Sequence, residues 1–438
     1  MSNKKKPEYD RETQIARLVA AYEKRLRKDY PADIQTIEEI ERTAQEIGER
    51  VKQDIQQERS DAAGTGYAGK LLACPCGHAA RYKNAAERRI VTLHGEMLLC
   101  RAYYWCSHCK RGGCPIDKVL QIPAGQVSVS VRALACRFTS LLPYAKAARE
   151  LELVCGVHLS VSTLQRISRA TGEALQEEGK RREEQVWSGS AEPDVLAPKH
   201  LYVSMDGVMA HVGGRWREVK LGVCFERGDR GPVRDRYCAS LDPSHLFGKR
   251  LKTLSTFAGE TLCRTVGVVA DGSDWIWQEA GKHYTLRTHI LDFYHVTEHL
   301  WALSRIRHGA GSAGASEWVT LQKQRLLEHD NGALEVIHDI KAWLPQSASG
   351  QEMRRTTLAY LVNHRSRMRY KAFREADHPI ASGVMEASCR WVVQQRMKGP
   401  GMRWQEHGAE TMLQLRTAYC SNADADMLNA ARATALPA

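Results

Sequence analysis

Long apolar runs are absent from this sequence of 438 residues. No stretch approaches the roughly 20 uninterrupted apolar residues that a transmembrane helix needs. The polar opening MSNKKKPEYDRETQ also lacks the apolar core of a secretory signal peptide. We therefore expect a soluble, cytoplasmic protein without a membrane partner.

Cysteine is too sparse for a disulfide-bonded scaffold, since the whole chain has only 13. Six of the 13 nevertheless fall between Cys74 and Cys114. Such clustering favours metal ligation in a reducing compartment over disulfide formation. The other cysteines are interpreted as ordinary buried thiols.

The clustered cysteines include two short knuckles, CPC and CSHC, separated by a β-like stretch. Two knuckles in this arrangement are typical of a closed, structural zinc site with four ligands. The first knuckle is one residue shorter than the usual spacing, so His78 is an alternative ligand and unliganded cysteines are the rival interpretation. The predicted zinc ligands are Cys74, Cys76, Cys106 and Cys109.

Basic residues outnumber acidic ones, which gives a net charge of +12. The excess is concentrated between residues 351 and 403, where 11 basic and 4 acidic side chains lie. A basic tract of this kind predicts a polyanionic partner, nucleic acid above all. The candidates for phosphate contacts follow the single carboxylate of Glu386, and a solvated helix face is their alternative interpretation. They are Arg390, Arg396, Lys398 and Arg403.

Residues 144 to 172 predict two helices joined by a turn at Gly156. Ser160 can cap the second helix. That helix would expose Gln165, Arg166 and Arg169, as a helix presented to the DNA major groove does. Many ordinary helical hairpins would match this pattern equally well.

Short apolar and β-branched runs begin after residue 199 and are bounded by Gly, Pro or Asp. They predict five strands, at 201–208, 217–226, 234–241, 265–272 and 288–296. Asp206 and Asp271 each close such a run and precede a glycine, so we expect them at strand tips that face a crevice. With a third acid delivered by a helix they would hold two Mg²⁺ (or Mn²⁺) ions, which favour oxygen ligands and support in-line phosphodiester displacement.

Each of these acids also has a bland interpretation, because Asp-Gly is a common turn pair. Asp274 and Asp292 compete with Asp271 for the same role. The combination of two strand acids with a later acid on a helix, followed by a basic tract, favours the catalytic interpretation.

Four segments of the chain resemble successive motifs of the DDE transposases of Kra-type bacterial insertion sequences. They are MDGV, VADGSDWIW, ILDFYHVTEHL and GVMEASCRWVVQQRMKGPGMRW. The segments CPCGH and RAYYWCSHC resemble that family's zinc-binding part, although the family more often has C-x2-C at the first knuckle. The resemblance covers roughly residues 70 to 418.

The resemblance implies an RNase H-like fold whose catalytic metal ligands are Asp206 on the first strand, Asp271 after the fourth and Glu386 on the closing helix. Asp292 and His295 match a D-x2-H signature of related transposases. We treat these two residues, together with Asp274, as supporting the site rather than binding metal.

The expected fold class is multidomain α+β and α/β, with an RNase H-like mixed sheet that an all-α insertion interrupts. The expected domains are 1–62 (helical), 70–120 (zinc-ribbon-like), 127–187 (helix-turn-helix-like), 199–296 (first part of the core), 297–378 (insertion), 379–420 (second part of the core) and 421–438 (tail).

The expected function is that of a transposase. It would bind the terminal inverted repeats of its element as a homodimer or higher oligomer and would cleave and join double-stranded DNA. One alternative is an RNase H-like nuclease or resolvase that cuts without joining. The other is a catalytically inactive regulator that binds DNA through its zinc and helix-turn-helix regions.

Overall fold

Helices and two β-sheets make up the chain in a computed structural model, in agreement with the mixed class expected from the sequence. The structure describes residues 16, 20, 36–122, 124–195, 198–228 and 231–435. Of the predicted helical region 1–62, the part before residue 36 lies outside the described residues except for positions 16 and 20. In the described part of the chain, no helix is long and apolar enough to span a membrane.

The chain divides into two compact units. The first comprises Met1–Val131, Leu151–His158 and Ala435–Ala438, and the second comprises Arg132–Glu150 and Leu159–Thr434. The finer division into seven domains stays a prediction.

The first unit contains a long helix and an antiparallel sheet of order β1-β2-β3-β4. Its elements are α1 (Ile37–Ala62), β1 (Leu71–Ala73), β2 (Ala79–Thr92), β3 (Gly95–Cys106), β4 (Arg111–Gly113) and α2 (Pro115–Val119). Helix α1 begins at a capping box, in which Thr36 and Glu39 each accept a hydrogen bond from the other's backbone N–H at 3.2 Å. None of its residues is buried, and Ile37 is 75% exposed.

The remaining elements lie wholly or mainly in the second unit. The helices before its sheet are α3 (Val129–Leu141), α4 (Tyr144–Cys155) and α5 (Val161–Trp187). The sheet region contains β5 (His200–Val212), β6 (Arg215–Gly228), β7 (Gly231–Ser240), α6 (Ser244–Phe257), β8 (Thr265–Ala270), α7 (Asp274–His283) and β9 (Thr288–Leu291).

A helical segment then separates β9 from the helix that carries Glu386. It contains α8 (Phe293–His308), α9 (Ala313–Glu328), α10 (Gly332–Ala342), α11 (Ala348–His364) and α12 (Tyr370–Glu375). The chain closes with α13 (Gly383–Ser388), a π-helical segment (Cys389–Gln394), α14 (Gln395–Met397), α15 (Glu406–Cys420) and α16 (Asp424–Ala435).

The second sheet has the strand order β7-β6-β5-β8-β9, and all five predicted strands are present. β5, β6 and β7 pair antiparallel, whereas β8 and β9 run parallel to β5. The runs from Leu201 to Met205 and from Val266 to Ala270 are buried throughout. Continuous burial of this kind is typical of central strands covered on both faces.

Two predicted strand ends are wrong. Asp206 does not end its strand, because β5 continues through Gly207 to Val212. The fifth strand stops at Leu291 rather than 296, because Asp292 caps helix α8 and turns the chain into a helix.

Helices α5 and α15 approach closely at a glycine. A Cβ atom on Gly172 would lie 2.5 Å from the backbone oxygen of Thr411. On the same helix, a Cβ atom on Gly179 would meet no atom within 4 Å. The two positions therefore separate packing from helix propensity.

We expect Gly172→Ala to lower the free energy of unfolding by about 1–3 kcal/mol, since the added methyl group must push the helices apart. Gly179→Ala, the matched control, should raise it by about 0.5–1 kcal/mol through helix propensity alone. Urea denaturation of both variants measures the difference. Shifts in the same direction would contradict the close approach.

Candidate active site and metal centre

Three aspartates lie at one level across the parallel strands of the second sheet. Val203 of β5 pairs with Val268 of β8. Asp206 and Asp271 lie three residues beyond these two valines. The register of β8 with β9, extended by one residue, brings Asp292 opposite Asp271. The sheet itself therefore aligns acids that are distant in the sequence.

Asp206, Asp271 and Glu386 line a single cavity of about 510 Å³. Asp206 and Asp271 are partly buried, while Glu386 is exposed on helix α13. The oxygens of the three side chains do not all lie within 4.8 Å of one another; among the described residues, only groups in the cysteine segment are that compact. The three acids thus share an open cavity rather than a closed cage.

The electrostatics of the cavity oppose a negative charge on Asp206. Burial raises the pKa of its carboxyl group, and the charge of Asp271 raises it further, against a hydrogen bond from the Gly207 N–H at 2.6 Å. The thiol of Cys389 lies 3.4 Å from the other carboxylate oxygen. Burial and the charges of all three acids raise the pKa of Cys389, so it stays a neutral donor. A cation in the cavity would relieve this repulsion.

Asp271 is held by its own turn. Its carboxylate accepts hydrogen bonds from the Ser273 N–H at 2.9 Å and the Ser273 hydroxyl at 3.1 Å. The Trp277 indole N–H donates to the Asp271 carbonyl at 2.6 Å. These bonds fix the direction in which the chain leaves β8 for helix α7.

Asp292 is 2% exposed, and hydrogen bonds from the protein occupy both of its oxygens. One oxygen caps helix α8 by accepting the His295 N–H at 2.9 Å. The other accepts the backbone N–H and the hydroxyl of Ser382, the residue before the helix of Glu386. Asp292 therefore anchors the start of helix α13, which agrees with a supporting role.

We expect Asp292→Ala to lower the free energy of unfolding by about 2–4 kcal/mol, because it leaves the α8 cap and the half-buried Ser382 donors without an acceptor. Ser312→Ala is the matched control, since it removes a simple cap from the next helix and should cost about 1 kcal/mol. Chemical denaturation compares the two. Equal losses would contradict the double role of Asp292.

A π-helical segment directly follows α13, the helix that carries Glu386. Such wider helical turns recur at functional sites. Arg416 of α15 is fully buried and donates to carbonyl groups of this segment, to Val392 at 3.0 Å and to Trp391. It also donates to the Ser140 carbonyl and the Gln395 side chain. The guanidinium group thus satisfies acceptors that the irregular helix leaves open.

The four predicted phosphate contacts differ in accessibility. Arg390 and Lys398 are exposed and line the cavity, and Arg403 is exposed nearby in sequence. Arg396 is only 2% exposed; it donates to the Thr139 carbonyl at 2.8 Å and lies over the ring of Trp404. The prediction for Arg396 is therefore wrong, because its side chain holds the core together rather than facing a ligand.

The helix-turn-helix candidates occupy the expected helix. Gly156 adopts a positive φ of 63° between α4 and α5, and Ser160 caps α5 through the Thr163 N–H at 3.2 Å. Near the start of that helix, the side chains of Gln165, Arg166 and Arg169 are exposed.

Of the residues predicted to support the site, His295 lines the cavity and Asp274 does not. His295 lines the cavity with its side chain 47% exposed and lies 3.4 Å from Glu298. Asp274 is exposed on α7 and does not line the cavity, so the supporting role predicted for it is wrong. Tyr294, Glu298, Cys389 and Gln394 also line it and escaped the sequence analysis. For Glu298 the sequence does contain a signal, because a residue three positions after His295 lies on the same helix face.

The four predicted cysteine ligands come together at the turns β1–β2 and β3–β4. Their sulfur atoms approach one another at 3.4 to 3.6 Å, and the group can hold a metal ion such as zinc. The backbone N–H of His78 and the thiol of Cys74 lower the pKa of Cys76 to about 5, while the pKa of Cys74 is raised to about 12, so Cys76 is the first of the pair to become a thiolate. His78 lies beside Cys76 and stacks on His108 at 3.6 Å, outside the four-sulfur group.

We expect the purified chain to contain about one tightly bound metal ion, because four thiolates close a tetrahedral structural site. Cys109→Ser should lose that ion. Cys100→Ser, which changes an exposed cysteine of β3 outside the group, should retain it. Elemental analysis of both variants decides, and equal metal contents would contradict the ligand assignment.

The model of the uncharacterised protein family UPF0236 matches residues 78–429, and the chain belongs to that family. The chain is also similar to a "UPF0236 protein in vanSb 3'region" from Streptococcus gallolyticus. The two are 24% identical over 353 residues, which cover 76% of this chain and 72% of that protein. The family match includes Asp206, Asp271, Glu386 and the second cysteine knuckle but begins after Cys76.

Proposed function

We propose that this UPF0236 protein is a DDE-type transposase with an RNase H-like core. It would bind double-stranded DNA at the terminal repeats of its element and catalyse metal-dependent cleavage and joining of DNA strands. The observation that carries the proposal is the shared cavity of Asp206, Asp271 and Glu386, which come from two adjacent strands and a distant helix.

The strand order β7-β6-β5-β8-β9 supports the proposed core. Three antiparallel strands come first in the chain, and two further strands extend the sheet in parallel on the other side of β5. Asp206 lies on the first strand and Asp271 follows the fourth, as the resemblance to DDE transposases implies. The helical segment from α8 to α12 corresponds to the proposed insertion.

The donor set of the cavity fits hard divalent cations. Asp206, Asp271 and Glu386 offer only carboxylate oxygens, the ligands that Mg²⁺ and Mn²⁺ prefer. Burial first and the charge of Asp271 second raise the pKa of Asp206, and a bound cation would offset both effects. When bound, such ions activate the attacking hydroxyl and stabilise the departing oxygen of a phosphodiester.

Other residues of the chain would bind and orient the DNA. Arg390 and Lys398 line the same cavity, so their charges can hold a phosphate next to the acids. Gln165, Arg166 and Arg169 on α5 would contact the terminal repeat. The cysteine group, with zinc, would stabilise the amino-terminal sheet, and a homodimer or higher oligomer would bring two element ends together.

The test is DNA cleavage and strand transfer with Mg²⁺, using duplexes that carry the repeats flanking the coding region. We expect Asp206→Asn, Asp271→Asn and Glu386→Gln each to reduce both reactions by at least about 10³-fold, because each removes a charged metal ligand. Duplex binding should persist in all three variants. Asp274→Asn, an exposed acid outside the cavity, is the control and should retain activity.

Each outcome separates the proposal from its alternatives. Cleavage of duplexes without joining of precut ends would identify a nuclease or resolvase. Duplex binding without any cleavage in the presence of Mg²⁺ would identify a regulator, provided that Asp206→Asn binds the duplex as the wild type does. Either result would overturn the transposase.

A further inference from the structure

The hairpin between β5 and β6 presents a tryptophan to solvent. Its turn is Gly213-Gly214, where both residues have a positive φ, and such two-residue turns produce tight, rigid hairpins. Trp216 follows the turn and is 60% exposed. Its exposed indole ring offers a flat face of the kind on which a base can stack.

The hairpin is anchored beside the cavity of the three acids. Trp404 extends it by pairing with β5, donating its N–H to the His211 carbonyl at 3.1 Å and accepting from the Gly213 N–H at 2.9 Å. Lys398 lines the cavity, and its ammonium group lies 5.8 Å from the centre of the Trp216 ring. One lysine therefore connects the exposed ring with the acids.

The surface around Trp216 is positively charged. Lys398 and Arg403 are exposed and form no ion pair with a described carboxylate, whereas Arg215 points to the opposite face of the hairpin, where Glu406 lies. The nearby acids are engaged, since Glu406 pairs with Arg217 at 2.8 Å and Glu218 with Lys220 at 2.7 Å. A partner for this surface must combine negative charge with a flat apolar face.

We propose that Trp216 is a stacking platform for an unpaired base of the DNA strand that enters the cavity. Lys398 and Arg403 hold the phosphates of that strand, and the indole ring takes the base. This inference rests on the proposed function, because it assigns the substrate's conformation at the same site. Single strands combine both required features, and aromatic stacking accepts any base.

The test measures binding of a fluorescein-labelled single strand by the full-length protein, without added Mg²⁺ so that no cleavage intervenes. A second probe has the same length and charge but abasic sites in place of its central bases. Trp216→Ala should weaken binding of the normal strand by at least about 5-fold, the loss expected for one stacked base. It should leave binding of the abasic strand unchanged, and Trp216→Phe should retain most of the affinity.

Trp187 provides a closely matched control. It is 51% exposed, with the Lys249 ammonium 5.7 Å from its ring centre and His283 edge-on at 5.9 Å. Trp216 has Lys398 at 5.8 Å and His211 edge-on at 5.8 Å. Trp187→Ala should therefore leave the affinity for both strands unchanged.

The outcomes distinguish failure of this inference from failure of the proposed function. If the wild type binds and cleaves DNA while Trp216→Ala binds the normal strand as well as the wild type does, only the platform is overturned. If the wild type binds neither strand nor duplex, both proposals fall. If Trp216→Ala converts a dimer into a monomer in light scattering and loses no base-dependent binding, the surface is a subunit interface, and the platform is overturned.

Discussion

The candidate site depends on the parallel register of β5, β8 and β9. Their central residues are buried and apolar, and the burial of Val203 against Val268 leaves little freedom to slide the strands. Asp206 and Asp271, each three residues beyond this pair, are then fixed at one level of the sheet. The same apolar pairing that stabilises the core thus brings mutually repelling carboxylates together, at an electrostatic cost that is visible in the raised pKa of Asp206.

The third acid is positioned independently of the sheet hydrogen bonds. At one end of its helix, the buried carboxylate of Asp292 binds Ser382, and beyond Glu386 the buried guanidinium of Arg416 binds the π-helical segment. Asp292 and Arg416 are far apart in the chain, yet both form hydrogen bonds with this helix or its first flanking residue. The helix is therefore held against the sheet by polar contacts in a water-poor environment, where they are directional and costly to break.

The sequence predicted features that depend on local patterns. Apolar and β-branched runs bounded by Gly, Pro or Asp predicted the five strands, and the spacing of the two knuckles predicted the group of Cys74, Cys76, Cys106 and Cys109. It could not separate Arg396 from its exposed neighbours, because burial of an arginine is decided by distant groups such as Thr139. The continuation of β5 past Asp206 depends on its pairing with β6, and the role of Arg416 depends on a helix irregularity that no residue pattern announces.

We propose that Asp206, Asp271 and Glu386 bind divalent cations between them. Anomalous scattering from crystals of the protein soaked in Mn²⁺ can decide this, because manganese is located without reference to activity. We expect manganese peaks in the cavity, in contact with all three carboxylates, that disappear in the Asp206→Asn variant. Peaks confined to other parts of the molecule, or a cavity that stays free of manganese at saturating concentration, would contradict it.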